Sequence, residues 1–124
     1  MPVVTTIHLW LGMLVIAINL IAAIWGFLVW KGWLPANKVY AQVLAASQTV
    51  IVGQAIIGLL LLSQNLRVEQ QLHYVYGLLP AAMVIFAYSA RGRDQRRNIL
   101  IFSIAALLAT GLSARALTVS GILG

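Results

Sequence analysis

No cysteine occurs in this chain of 124 residues, so it forms no disulfide and offers no thiolate for catalysis or iron–sulfur ligation. Carboxylates are almost as scarce. Glu69 and Asp94 are the only two, and they fall in different connecting segments, expected on opposite sides of a membrane. No carboxylate pair can then form for general acid–base work, and Ser, His and Asp do not converge as a triad. No catalytic residue is therefore assigned, and no enzymatic activity of the chain's own is expected. A positively charged stretch ahead of the first apolar run is missing too. So is a short apolar core ending at a small-residue cleavage site, and that run is accordingly read as a retained helix rather than a removable signal peptide.

What fills the chain instead is apolar: 62% of residues are hydrophobic and 8% charged. Soluble domains run nearer 45–50% and about 25%. Crossing roughly 30 Å of hydrocarbon as helix takes about 20 apolar residues. Runs of that kind cover 5–30, 40–63, 72–90 and 98–120. Lipid cannot satisfy free backbone groups, so each run is expected to be helical, and short connections make neighbouring helices antiparallel. The expectation is an all-α, integral membrane, four-transmembrane-helix bundle, up-down-up-down, forming a single domain over 1–124.

A net charge of +6 is common in nucleic-acid-binding chains, but its distribution here reads as topology, and no nucleic-acid partner is expected. Lys31 and Lys38 lie in the first connection and Arg91, Arg93, Arg96 and Arg97 in the third, against only Arg67 beside Glu69 in the second. By the positive-inside rule the first and third connections face the cytoplasm and both termini face outward across a plasma (inner) membrane. Trp30, Trp33, Tyr40 and Tyr88 then form an inner aromatic belt, with Trp10, Tyr74 and Tyr76 as an outer one.

An internal repeat emerges when the first run is written over the third. Ile7-His8-Leu9-Trp10-Leu11-Gly12-Met13-Leu14 aligns with Leu72-His73-Tyr74-Val75-Tyr76-Gly77-Leu78-Leu79, and both read apolar-His-x-x-x-Gly-apolar-Leu. The chain's only two histidines thus share one depth on helices that run the same way. Two such parallel, pseudo-repeated halves imply a pseudo-two-fold axis along the membrane normal that relates His8 to His73. Gly12 and Gly77 sit one turn beyond each imidazole and open space there. A porphyrin held edge-on between two helices needs an axial imidazole from each side and nearby backbone without side chains, so heme b is the leading cofactor and His8 and His73 its iron ligands.

His8, Gly12, Val15, Asn19, Ala22 and Gly26 trace one stripe of small or polar residues, as an interior face would. Pro80 is expected to bend the third helix. Arg115 lies roughly 7 Å inside the end of the fourth helix, where it either meets a heme propionate or snorkels to the interface. Gln54 with Gly58 adds polar and small contacts from the second helix. A quinone or a bacteriochlorophyll is an alternative occupant, although a quinone wants a donor at each carbonyl and a chlorin only one histidine. A cofactor-free accessory subunit, packing against other membrane subunits, is the alternative of a different class.

A small bundle with histidines on alternate helices and an outer-side site resembles membrane b-type cytochromes, including one half of the heme A synthase architecture. His8, His73, the apolar stretch Gln48 to Leu62 and the turn at Gly111 carry that likeness. It implies a subunit that relays electrons inside a larger respiratory or photosynthetic complex, and two histidines allow at most one bis-His heme. The pattern Leu72-His73-Tyr74-Val75-Tyr76-Gly77-Leu78-Leu79-Pro80 also resembles uncharacterised four-helix membrane proteins of bacteria, a likeness that implies no function.

Overall fold

The structure, a computed structural model, describes residues 2–63 and 72–118. Four helices account for nearly all of them: α1 (Pro2–Trp30), α2 (Lys38–Ser63), α3 (Leu72–Ala90) and α4 (Gln95–Thr118). Each contains a segment long and apolar enough to cross a membrane. The expected end of the fourth run at residue 120, and the second connection with Arg67 and Glu69, lie outside the described residues.

Helix ends follow from side chains that the apolar pattern does not register. Asn37 Oδ1 accepts from Tyr40 N at 3.0 Å, which starts α2 at Lys38 rather than at residue 40. Asp94 Oδ1 accepts from Arg96 N at 3.0 Å and Arg97 N at 3.3 Å, so α4 begins at Gln95, three residues before its apolar run. The other end of α1 closes on Gly32, whose φ of 85° suits glycine. There Gly32 N donates to Val29 O at 3.0 Å and Trp33 N to Leu28 O at 2.9 Å. Asn98 ties the third connection from both sides, accepting from Gly92 N and donating to Gly92 O, each at 2.8 Å.

α1 packs mainly against α4 and α2, and α4 also against α3; α2 and α3 are the most loosely packed of the neighbouring pairs. Close packing comes from small side chains. Ala22, Ala23, Ala87, Ala106 and Ala109 are buried, while Trp10, Ile56, Ile85 and Phe86 are exposed, as expected where lipid solvates the outside. The stripe on α1 does turn inward: Val15, Asn19, Ala22 and Gly26 are all buried. Asn19 Nδ2 donates to Val15 O at 2.9 Å and to Ser47 O at 3.3 Å, pinning α1 to α2 near the middle of the bundle. A Cβ on Gly26 would collide with Ser103 Oγ and come within 3.0 Å of the Tyr40 hydroxyl. Tyr40 is therefore not part of an aromatic belt: at 5% exposure it fills the notch above Gly26.

Cations collect at the end of the bundle where α1 finishes and α4 starts. Arg96 Nε donates to Trp30 O at 3.1 Å, with its guanidinium 5.0 Å from the Trp30 ring centre. Arg91 lies 5.0 Å from the ring centre of Tyr88.

Candidate functional site

At the opposite end, His8 on the second turn of α1 and His73 on the first turn of α3 reach toward each other across the bundle. Their ring centres are 6.2 Å apart and their planes cross at 82°. The two histidines share a cavity of about 130 Å³ with Gly12, Gln54, Gly58, Gly77 and Ala116. Leu59 and Leu78 also line it, and both remain about half exposed. Those two leucines belong to α2 and α3, the most loosely packed of the neighbouring helix pairs.

Each imidazole is held differently. His73 Nδ1 lies 2.8 Å from the carbonyl oxygen of Ala116 on α4. A carbonyl only accepts, so Nδ1 carries the hydrogen and the neutral ring presents a bare Nε2 lone pair. His8 is anchored through its backbone, whose carbonyl accepts from Gln54 Nε2 at 2.8 Å. Its ring Nδ1 is buried without a hydrogen-bond partner, and so is Gln54 Oε1.

The glycines divide the space in a way their spacing did not predict. Gly12 was expected to clear room beside His8, but a Cβ there would lie 3.1 Å from Gln54 Nε2, so Gly12 makes room for the carboxamide. The residue that accommodates the His8 ring is Gly58 of α2, where a Cβ would come to 3.2 Å from Cε1. Gly77 borders the cavity, and a Cβ there would meet nothing within 4 Å. Gly111 on α4 is likewise unobstructed.

Arg115 is not brought to this cavity. The lining of α4 is Ser113, Ala116 and Leu117, and at about 100° per residue Arg115 falls on the far side, where it is exposed. An exposed cation near a helix end is placed to reach the interface. Ala116 contributes only a backbone carbonyl, which no residue-type pattern signals; Gln54 and Gly58 were legible as small and polar positions on the second helix.

Among the described residues, no group of three or more His, Cys, Asp or Glu side chains is placed to hold a metal ion. A bare ion usually takes three or four protein ligands. A porphyrin brings four nitrogens of its own and asks the protein for one or two, which matches a two-histidine donor set. Two imidazoles are donors of the right type for a heme, while a ring-centre separation of 6.2 Å with crossed planes is that of an ordinary edge-to-face contact. The enclosed room is smaller than a porphyrin: an apolar cavity of roughly 150 Å³ accepts a benzene.

Comparisons with known protein families, curated proteins and solved structures find no match for this chain.

Proposed function

We propose that this chain is a membrane subunit that holds one heme b between His8 and His73 and relays electrons within a larger respiratory or photosynthetic complex. The observation that carries the reading is the His73 ring, fixed with a bare Nε2 by the Ala116 carbonyl and standing 6.2 Å from the only other histidine. A lone pair is what a metal requires. A quinone carbonyl requires a donor, and His73 held in this way offers none to the cavity. With two imidazoles on the iron no coordination position stays open, which favours one-electron transfer over oxygen binding.

The chain's own residues supply ligands, shape and surroundings. Gly58 leaves the His8 ring its place, and Gly77 keeps the α3 wall free of a side chain. In this reading the bundle runs up-down-up-down, with antiparallel neighbours and two pseudo-repeated halves. The six cations in the first and third connections and in the first turns of the helices that follow them favour the orientation with those connections in the cytoplasm, both termini outside and the histidines in the outer half of a plasma membrane. Partner subunits then supply and accept the electrons.

A reduced-minus-oxidised absorption spectrum of the full chain, purified from heme-replete cells, tests the reading. Wild type should show the bands of a low-spin heme b, and His8→Ala and His73→Ala should each abolish them. A wild-type protein without these bands, or loss at only one histidine, would refute bis-His ligation.

A further inference from the structure

We infer that Gln54 is the positioning residue of His8, its Oε1 accepting the Nδ1 hydrogen either directly or through one water. Two buried atoms in this cavity lack a partner, His8 Nδ1 and Gln54 Oε1, and they are complementary: an imidazole nitrogen can donate and a carboxamide oxygen can only accept. The residues that carry them are already joined, because Gln54 Nε2 donates to the His8 carbonyl at 2.8 Å. That bond also settles which end of the carboxamide is nitrogen, so the free end is the acceptor. Left apart, each atom keeps the cost of an unmet buried hydrogen bond. A rotation of the ring or the amide joins them, or one water between them does.

Gly12 belongs to the same device. A Cβ at this position would approach Gln54 Nε2 to 3.1 Å, so glycine is what lets α2 bring the carboxamide against α1. The consequence is chemical. With its hydrogen held on Nδ1, His8 presents a bare Nε2, as the Ala116 carbonyl makes His73 do from the other side. Two helices that bear no histidine, α2 and α4, thus each fix the tautomer of one that does.

The significance for a metal rests on the heme b reading, but the hydrogen bond does not, and the two fail separately. Imidazole nitrogen-15 spectra of the cofactor-free full chain in detergent, at alkaline pH, contain only two rings and report the tautomer of each. Wild-type His8 should be the Nδ1–H form, and Gln54→Leu should shift it to a mixture or to Nε2–H while leaving His73 unchanged. Gly12→Ala, which crowds the carboxamide, should move His8 in the same direction, and Gln54→Glu should preserve Nδ1–H. An Nε2–H tautomer in wild type, or no response to Gln54→Leu, overturns the assignment. Hemin titration then follows the consequence: Gln54→Leu should weaken binding about 10–100-fold, the usual effect of removing a partner behind a metal ligand. If the tautomer responds and wild type takes up no hemin, the pairing stands and heme b is excluded.

Discussion

Replacing Gly58 by alanine adds a single methyl group to α2 at the one place where it meets the His8 ring. The new Cβ would stand 3.2 Å from Cε1 and 3.8 Å from Nε2. Carbon atoms prefer about 3.5–4.0 Å, so the ring must retreat by about half an ångström. Backbone on both helices is fixed by packing, and the imidazole therefore turns off its rotamer, at a cost of about 0.5–1.5 kcal/mol. If the ring position sets cofactor affinity, hemin should bind about two- to twelve-fold more weakly than to wild type. Gly53→Ala is the matched control, on the same helix and with nothing within 4 Å of its added Cβ. Both variants gain the same helix propensity, about 1 kcal/mol at most, which cancels between them. Soret-band titration of hemin into the purified apoproteins measures the ratio. Equal affinities for Gly58→Ala and Gly53→Ala would show that the His8 ring is not where binding is decided.

The same substitution at Gly26 should act on stability instead. Its Cβ would collide with Ser103 Oγ and crowd Tyr40, and overpacking of this kind costs about 1–3 kcal/mol. A lower melting temperature in detergent checks it, and adding Ser103→Ala should recover only part of the loss, because Ser103 Cβ would still lie at 3.1 Å. Arg115→Leu, by contrast, should leave hemin affinity unchanged, since Arg115 is exposed and does not line the cavity; a tenfold loss of affinity would place it at the site.

The two histidines were legible because they are the chain's only ones and recur in matched octets, each followed by glycine one turn later. What each glycine is for was not legible. A helical period places Gly12 on the same face as His8, but which neighbour fills the gap depends on α2, and Gln54 rather than the His8 ring does so. Arg115 shows the same limit. Its depth along α4 could be counted from the chain, whereas the direction it faces is set by how α4 rotates to bury Ser103, Ala106, Ala109 and Ala116.

The sequence by itself determined that there are four apolar helices and nearly where they begin and end. Hydrophobic length and capping residues are local properties, and lipid leaves an apolar segment little choice but helix. It also singled out the two imidazoles, through the matched octets that carry them. Only the tertiary structure decided that they meet at 6.2 Å, that a backbone carbonyl of α4 holds the His73 ring, that a carboxamide of α2 holds the His8 carbonyl, and that both rings line one cavity. Those relations depend on how helices rotate and lean against one another. That is settled by the fit of small side chains such as Ala22, Ala23 and Ala106, and is written in no single helix.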